Sequence, residues 1–380
     1  MQVEDLRIAL FSGNYNYVRD GANQALNRLV GHLLGRGAKV RVYSPTIPDP
    51  PFAATGDVVS IPSLPIPGRG EYRIGTALSP EIRADMAAFD PNIVHISSPD
   101  WVAHRAVTWA RERGIPVLAS VHTRFETYPR YYGLAFLEPW FVKGLRRLYN
   151  RCDAIVAPSE SMAAILREEG MNRDVGIWSR GVDRETFNPG RRDLAWRRSI
   201  GIEGAEPVIG FLGRLVMEKG LDMFADTMAQ LGERGVDHRV LVIGEGPAHD
   251  WFAERVPDAC FVGFQQGADL GRAVASMDML FNPSITETFG NVTLECMACG
   301  VPVVAARATG SESLVEDGAS GALVEPGDVA GFADALERYC RDPELRALHG
   351  AAGNERAEDY SWYDINETMA RKYLALIENR

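Results

Sequence analysis

The chain has 380 residues, of which 46% are hydrophobic and 24% are charged, and its net charge is −11. This length exceeds one ordinary core and predicts two domains, while the composition excludes a disordered chain and contains no apolar run long enough to span a bilayer. Residues 1–190 hold 22 Lys and Arg against 20 Asp and Glu, whereas residues 191–380 hold 18 against 31. We therefore expect no nucleic-acid partner, and the first half is the one suited to an anionic surface.

The N-terminal segment and the cysteines indicate the compartment. No signal peptide precedes the apolar run at residues 8–11, which predicts a cytoplasmic protein. The cysteines are odd in number and scattered, as expected of reduced thiols; they are Cys152, Cys260, Cys296, Cys299 and Cys340. Cys296 and Cys299 have no second pair to complete a zinc site, so we interpret them as small buried residues.

Short apolar strands alternate with amphipathic helices in the first half of the chain, the pattern of α/β units on a parallel sheet. Strands are predicted at residues 7–11, 39–43, 93–96, 117–121 and 154–157, with a helix at about 22–34. Residues 45–67 are rich in proline and predicted to lack regular structure. Ser159 is predicted to cap the helix that follows it.

The same pattern restarts in the second half. Strands are predicted at residues 207–212, 239–243, 279–282 and 303–305, each followed by a helix. An Asn-Pro-Gly break at 188–190 marks the boundary, and a final helix at 362–377 is predicted to pack back on the first domain. The predicted domains are therefore 1–188, 189–361 and a C-terminal helix within 362–380.

Ligands of open parallel sheets bind at the loops that follow the strands. Six such loops hold chemically suggestive residues: 12–21, 122–130, 181–183, 213–219, 244–246 and 284–290. The most informative is the run Ser-Ile-Thr-Glu-Thr-Phe-Gly-Asn-Val-Thr-Leu-Glu, which places Glu287 before a helix and Glu295 inside its second turn. A helix N-terminus favours phosphate and carboxylates accept hydroxyl hydrogens, so this segment suits a sugar nucleotide.

Two cations stand in the loop Gly213-Arg-Leu-Val-Met-Glu-Lys-Gly. Arg214 and Lys219 lie on a loop-to-helix turn, so both can reach a diphosphate. The loop is not a P-loop, and taken alone it would equally be a solvated turn with two surface cations. Gly244 and Gly246 follow another strand; this Gly-x-Gly is either a tight turn or a nucleotide contact.

His122 follows a buried strand at the edge where a ligand is expected. A lone histidine is often a satisfied structural residue, but Arg124 and Glu126 stand beside it and favour a role in the site. Residues 136–151 combine an apolar stripe at helical spacing with basic residues. Either the stripe packs in the core and the basic face is solvated, or the helix docks on anionic lipid.

Together these segments resemble glycosyltransferase family 4, the retaining enzymes of the GT-B fold, over nearly the whole chain. The resemblance rests on the Gly-Arg-x4-Lys-Gly and Glu-x7-Glu motifs in that order, with His122, Ser159 and the Gly181-Val-Asp183 turn. It implies an α/β fold of two Rossmann-like parallel-sheet domains that face each other across a cleft. The first domain would bind the acceptor and the second the nucleotide sugar, with members that act on lipids as the most similar group.

The resemblance also implies roles for individual residues. Arg214 and Lys219 would bind the donor diphosphate, Glu287 the sugar hydroxyls and Glu295 the ribose. The catalytic set would be His122, Arg214, Lys219 and Glu287. The donor-binding set would be Gly21, Gly213, Arg214, Lys219, Gly244, Gly246, Glu287, Thr288, Phe289, Gly290, Asn291 and Glu295. Family members often have two glycines in the first loop, whereas this chain has Asp20-Gly21-Ala22.

The implied reaction is transfer of a hexosyl group from a GDP- or UDP-linked sugar to a hydroxyl with retention of configuration. Arg214 and Lys219 would stabilise the departing diphosphate, and we expect no cofactor and no metal because no Asp-x-Asp occurs in the chain. Such a reaction makes the enzyme a retaining glycosyltransferase. A nucleotide-sugar epimerase of the same fold and a non-catalytic sugar-nucleotide-binding module are the alternatives, while NAD chemistry is disfavoured because no strand precedes Gly-x-Gly-x-x-Gly.

The acceptor is predicted to be a membrane glycolipid, with a soluble saccharide or a polyprenyl-linked intermediate as alternatives. The stretch from His122 into the basic helix is similar to that of members that act on lipids, which implies peripheral contact with an anionic membrane at its inner face. The acceptor or membrane candidates are Asp20, Arg124, Arg130, Tyr131, Lys143, Arg146 and Arg147.

Overall fold

The computed structural model of the chain describes residues 1–18, 20–66, 69–123, 136 and 138–379. The strands are β1 (Arg7–Phe11), β2 (Lys39–Ser44), β3 (Asp57–Ser60), β4 (Ser63–Ile66), β5 (Arg69–Gly75), β6 (Ile93–Ile96), β7 (Val117–Ser120), β8 (Ala154–Ala157), β9 (Val175–Ile177), β10 (Val208–Leu212), β11 (Arg239–Ile243), β12 (Cys260–Phe261), β13 (Met279–Asn282), β14 (Val303–Ala306) and β15 (Gly321–Val324). The α-helices are α1 (Gly21–Gly35), α2 (Pro80–Phe89), α3 (Trp101–Arg111), α4 (Glu138–Tyr149), α5 (Glu160–Glu168), α6 (Leu194–Ser199), α7 (Leu221–Glu233), α8 (His249–Arg255), α9 (Gly267–Ala275), α10 (Asn291–Ala298), α11 (Thr309–Leu314), α12 (Val329–Arg341), α13 (Pro343–Arg356) and α14 (Trp362–Glu378).

The chain divides into two compact units, the first made of residues 1–180 and 362–380 and the second of residues 181–361. The sequence placed the end of the first domain at residue 188, whereas the N-terminal stretch of the first unit ends at residue 180. The reason is local: the Val182 amide donates to the Tyr360 carbonyl at 3.0 Å, and Phe187 packs in the second core. The break at Asn-Pro-Gly therefore falls inside the second unit.

Within the described residues of the first unit, seven strands form a parallel sheet in the order β3-β2-β1-β6-β7-β8-β9. Alternate residues of β1 face opposite layers, as the pleat requires. Ile8 and Leu10 join the core beneath α1 and α14, whereas Ala9 and Phe11 join the core that includes α2 and α3. Both faces are therefore covered by helices, which explains why these strands are continuously apolar.

The prediction for residues 45–67 was wrong, because two strands lie in this proline-rich stretch. β3 adds to the edge of the sheet by pairing in parallel with β2, and β4 pairs with β5 in an antiparallel hairpin. Neither strand is deeply buried, since Val58 and Val59 of β3 are only half-buried and Leu64 of β4 is exposed. Short edge strands of this kind lack the continuous apolar run that reveals a central strand.

In the second unit, the described strands form a parallel sheet in the order β12-β11-β10-β13-β14-β15. The order reverses between β10 and β13, so the loops that follow these two neighbouring strands open at the same edge. Two buried clusters lie on its faces, with Val208 in one and Ile209 and Phe211 in the other. The reversal sets the position of the site described below.

Candidate functional site

The loops after β10 and β13 bring together two residues that the sequence had placed far apart. Lys219 ends a 3-10 turn at Met217–Lys219, directly before α7, and Glu287 lies in the loop before α10. The Lys219 ammonium donates to the Glu287 carboxylate as an ion pair, with side chains 30% and 19% exposed. The loop that carries Lys219 and the loop that carries Glu287 therefore belong to one site.

Two further contacts hold the loop that carries Glu287. The Gly310 amide, in the first turn of α11, donates to the Glu287 carbonyl at 2.9 Å. The Thr286 hydroxyl donates to the Glu218 carbonyl at 3.3 Å, which ties this loop to the turn that carries Lys219. The backbone around Glu287 is thus fixed from both neighbouring loops.

Helix α10 begins at Asn291 with no side-chain cap, because Gly290 occupies the cap position with φ 96°. The amides of the first turn of a helix have no partner inside the helix and attract anions. Glu295 lies on α10 four residues after Asn291 and is half-buried, so both residues share one face of the helix. Thr288 is also half-buried, whereas Phe289 is 4% exposed and packs against Tyr360 with ring centroids 5.9 Å apart.

Arg214 stands in the loop after β10, directly after Gly213. Its side chain is exposed and makes no hydrogen bond or ion pair with any residue the structure describes. A guanidinium held on an ordered loop and not engaged by an internal carboxylate is available to an anionic ligand. The structure thus places Arg214 and Lys219 on one loop but pairs only Lys219 with an acid.

Gly244 and Gly246 allow two loops to approach each other at the backbone. A Cβ on Gly244 would lie 1.9 Å from the Gly213 carbonyl oxygen, and one on Gly246 would lie 2.3 Å from the Leu215 carbonyl oxygen. The Leu215 amide donates to the Glu245 carbonyl at 2.9 Å across this contact. The absence of side chains at Gly244 and Gly246 is therefore explained by packing, because it lets this loop support the one that carries Arg214.

Among the candidates of the first unit, Asp20 and Gly21 lie at the start of α1. The Asp20 side chain caps the helix by accepting from the Asn23 amide at 2.8 Å, and Gly21 is its first residue. Burial raises the pKa of Asp20, while the Asn23 and Ala22 amides and the Arg180 charge lower it. Asp20 is thus placed beside a cation at the carboxyl edge of the sheet.

His122 follows β7 and is half-buried, with both ring nitrogens engaged. Its Nδ1 lies 2.7 Å from Arg180 Nη2, and its Nε2 lies 2.9 Å from Ser120 Oγ. Burial and then the Arg180 charge hold the pKa of His122 well below its usual value. His122 is therefore a neutral ring in a fixed position, and it lies in the first unit while Arg214, Lys219 and Glu287 lie in the second.

The membrane candidates divide between α4 and a stretch that is not described. Arg124, Arg130 and Tyr131 lie outside the described residues. Lys143, Arg146 and Arg147 are exposed on α4.

The apolar stripe of the same helix is only partly buried. Leu145 and Leu148 pack in the core, but Trp140 is 73% and Phe141 is 47% exposed. The interpretation that places the whole stripe in the core is therefore wrong at these two aromatic residues, which belong to the first turn of α4 and precede its buried part.

Two residues were missed by the sequence analysis. Arg180 immediately precedes the Gly181-Val-Asp183 loop, and its position after β9 was the available signal. Gly310 follows β14 in the same way. Parallel strands end at one edge, so every polar or glycine residue directly after a strand was a candidate.

In the described part of the chain, no three His, Cys, Asp or Glu side chains cluster as a metal site would require, and no helix has the length and apolarity to cross a membrane.

Comparison with known protein families gives two matches along the chain. The model of Glycosyltransferase Family 4 matches residues 19–186, and the model of Glycosyl transferases group 1 matches residues 206–342. The first range covers most of the first unit and extends to residue 186, just inside the second unit, and the second range lies within the second unit. Arg214, Lys219, Glu287 and Glu295 lie inside the second range.

Curated relatives align along most of their length. A GDP-mannose-dependent alpha-mannosyltransferase of Mycolicibacterium smegmatis is 32% identical, with 99% of each chain covered. Sulfoquinovosyl transferase SQD2 of Arabidopsis thaliana is 33% identical over 94% of this chain and 71% of that protein. A GDP-mannose-dependent alpha-mannosyltransferase of Corynebacterium glutamicum is 29% identical, covering 99% of this chain and 90% of that one.

Solved structures agree on the fold. Sucrose-phosphate synthase from Thermosynechococcus elongatus superposes with a TM-score of 0.78 at 20% identity, covering 98% of this chain and 99% of the other. WaaG, a glycosyltransferase involved in lipopolysaccharide biosynthesis, gives 0.70 at 14% identity, covering 96% and 98%. The fold is GT-B, with two Rossmann-like α/β sheets. With two relatives above 30% identity, covered over 99% and 71% of their own length, and both family models matched, the chain belongs to glycosyltransferase family 4 and is a glycosyltransferase.

Proposed function

We propose that the chain is a retaining hexosyltransferase that moves a sugar from a GDP- or UDP-linked donor to an acceptor hydroxyl. The observation that carries this proposal is the pairing of Lys219 with Glu287 beside the uncapped start of α10. A cation, an acid and free amides in one place match the diphosphate and the sugar hydroxyls of a nucleotide sugar. The GDP-mannose-dependent relatives favour GDP-mannose as the donor.

The proposed step forms a bond between the acceptor oxygen and the anomeric carbon while the bond from that carbon to the diphosphate breaks. Arg214, Lys219 and the α10 amides stabilise the negative charge that develops on the leaving diphosphate, so they act more strongly in the transition state. A phosphate oxygen of the leaving group takes the acceptor proton. These cations replace a metal ion, so the reaction is proposed to be metal-independent.

The substitution Glu287→Ala distinguishes a glycosyltransferase from the two alternatives, a non-catalytic sugar-nucleotide-binding module and a nucleotide-sugar epimerase. We expect acceptor-dependent release of GDP or UDP to fall by about 100-fold or more, while calorimetry still detects donor binding. Exposed Glu254 supplies a matched control in the same unit, Glu254→Ala, with unchanged turnover. Conversion of the donor sugar to its epimer without an acceptor, or unchanged turnover in Glu287→Ala, would contradict the proposal.

The donor is identified by thermal shift with GDP-mannose, UDP-glucose and UDP-glucuronic acid. A ligand that binds only the folded protein raises the melting temperature by mass action. We expect the largest shift with GDP-mannose. A larger shift with a UDP sugar would assign a uridine donor and leave the reaction class intact.

We further propose a membrane glycolipid as the acceptor, approached at an anionic membrane surface through α4. Trp140 and Phe141 are exposed at its start, and Lys143, Arg146 and Arg147 follow on the same helix. His104 adds no charge to this helix, because burial and then the Arg151 and Arg147 charges lower its pKa and favour the neutral ring. Exposed aromatic rings beside basic side chains are the composition of an interfacial helix.

Vesicle sedimentation tests this surface. We expect binding to vesicles that contain phosphatidylglycerol, weaker binding to phosphatidylcholine alone, and loss of binding in Trp140→Ala/Phe141→Ala. Leu348→Ala removes a similarly exposed apolar side chain from the second unit and should not change binding. Equal binding to both vesicle types, or none, would contradict the membrane proposal and favour a soluble saccharide.

A further inference from the structure

A row of hydrogen-bonded polar side chains runs through the first unit and includes His122, which is half-buried while the other members are buried. Arg180 Nη2 lies 2.7 Å from His122 Nδ1, and His122 Nε2 lies 2.9 Å from Ser120 Oγ. Ser120 Oγ also lies 2.9 Å from His95 Nε2, and His95 Nδ1 lies 2.7 Å from the Tyr373 hydroxyl of α14. The row therefore links a candidate site residue to the C-terminal helix.

The direction of the first two hydrogen bonds follows from the chemistry of arginine. A guanidinium has donors only, so His122 Nδ1 must accept and cannot carry a hydrogen. A neutral imidazole then carries its one hydrogen on Nε2, which donates to Ser120 Oγ. The alternative tautomer would place two N–H groups against each other.

The groups around this pair favour the same state. Arg180 is 4% exposed, its guanidinium lies 5.1 Å from the Trp178 ring centroid, and the His122 ring lies 5.4 Å from the same ring. Burial lowers the pKa of Arg180 to about 10, with the Asp20 carboxylate acting against this, so the guanidinium remains charged at neutral pH. Among the described residues, Arg180 and His95 are the charged and titratable groups that act on His122, and the Asp20 carboxylate acts on Arg180.

We infer that Arg180 is a positioning residue that holds His122 in the neutral Nε2–H tautomer, so that His122 does not take the proton of the acceptor hydroxyl. This inference rests on the proposed function, in which a phosphate oxygen of the leaving group takes that proton. The lone pair of His122 that could act as a base is already occupied by the Arg180 N–H.

The tautomer is read directly in the unaltered protein. In a long-range ¹H–¹⁵N spectrum of histidine-labelled enzyme, assigned with His122→Asn, we expect Nδ1 of His122 at a pyridine-type shift and Nε2 at a pyrrole-type shift. Both shifts should stay constant between pH 5.5 and 8.5. A proton on Nδ1, or titration within this range, would overturn the inference without any substitution that could disturb folding.

Substitution of Arg180 tests its role in catalysis. Arg180→Met removes the donor and the positive charge, so the pKa of His122 should rise toward its ordinary value. The transfer rate should then acquire an ionisation in its pH profile and fall by about 10- to 100-fold in kcat. Arg180→Lys keeps a charged donor and should restore part of the rate and the wild-type shifts. Arg371→Met, an exposed arginine of the same unit, is the control.

Loss of the Arg180 charge leaves the half-buried Asp20 carboxylate without its compensating cation, so a second variant tests whether misfolding explains the result. Asp20→Asn/Arg180→Met removes both charges and should show the same change in the His122 shifts. Unchanged shifts and pH profile in both variants would overturn the inference. If the shifts behave as expected and no donor sugar is transferred, the proposed function fails and the tautomer assignment stands.

Discussion

The ammonium of Lys219 and the carboxylate of Glu287 form an ion pair although 68 residues separate them in the chain. Both side chains are partly exposed, and pairs of this kind stabilise a fold by less than about 1 kcal/mol. The pair is thus poorly explained by stability. In the proposed reaction the two charges separate toward different ligand groups, with the ammonium on the diphosphate and the carboxylate on the sugar.

Lys219→Ala and Arg214→Ala should therefore lower activity much more than stability. We expect kcat/KM for transfer to fall by about 100- to 1,000-fold in each variant, since each removes a charge that stabilises the leaving group. The melting temperature should change by no more than a few degrees. Lys39→Ala, which removes an exposed lysine from the first unit, should retain full activity. Wild-type rates in Lys219→Ala would contradict the assignment of the diphosphate site.

Gly310→Ala should impair transfer by displacing the loop that carries Glu287. A Cβ at this position would lie 2.7 Å from the Phe289 carbonyl carbon and 2.9 Å from the Glu287 Cβ. Overpacking of this kind costs about 1–3 kcal/mol, and the loop backbone must move to relieve it. Initial rates with saturating donor measure the effect.

Gly232→Ala is the matched control for that experiment. Gly232 lies in α7, and a Cβ there would meet nothing within 4 Å. The control should therefore be as stable as the wild type or more so, because alanine favours a helix over glycine by about 1 kcal/mol. Equal activity of Gly310→Ala and Gly232→Ala would contradict a role for Gly310 in placing Glu287.

Metal removal should leave the reaction unchanged. The proposed stabilisation of the leaving diphosphate comes from Arg214, Lys219 and the amides at the start of α10, all supplied by the chain. Transfer should proceed at the same rate in excess EDTA as in added Mg²⁺ or Mn²⁺. A loss of activity in EDTA that Mn²⁺ restores would contradict the proposal that side chains replace a metal.

Asp100→Asn should stabilise the first unit at neutral pH but not under acidic conditions. Asp100 caps α3, and burial raises its pKa to about 6, with the Ala103 and Val102 amides acting against this. The folded state therefore binds more protons than the unfolded state between about pH 4 and 6, and the contribution of Asp100 to stability falls as pH rises through this window. Asparagine caps a helix equally well and carries no charge.

The difference between variant and wild type is the quantity to measure. The free energy of unfolding in urea should be higher in Asp100→Asn by up to about 3 kcal/mol above pH 7, and the two proteins should converge near pH 4. A difference independent of pH would instead indicate a change in packing. The opposite trend, with the wild type more stable at neutral pH, would contradict the raised pKa.

The central elements were predictable because burial on both faces of a sheet leaves a clear signal. Strands β1, β6, β8, β11 and β13 match their predicted bounds for this reason. The cap at Ser159 was also predicted, and its hydroxyl accepts from the Met162 amide at 3.3 Å. A hydroxyl before a helix is a local signal that needs no tertiary contact.

What could not be predicted depends on contacts between distant segments. β3 forms only because β2 offers an edge, and its own residues are half-buried. In the sequence, Arg180 cannot be distinguished from a surface cation, and only the fold shows that it contacts His122. In the sequence, the Gly-x-Gly at 244–246 suggests a nucleotide contact, whereas the structure shows the backbone of Gly213 and Leu215 packed against these glycines. In each case the contacting segment lies far away in the sequence, so a local sequence pattern could not predict the contact.

The first unit is assembled from two stretches, and this has a consequence for synthesis on the ribosome. Residues 181–361 form one uninterrupted unit and can fold as soon as they emerge. The N-terminal sheet, although made first, must wait for Tyr373 and its neighbours on α14 before its core around Leu10 and Ile93 is sealed. The part of the protein translated earliest is therefore the last to mature, and ribosomes that stall before residue 362 would release a chain with one finished unit and one open one.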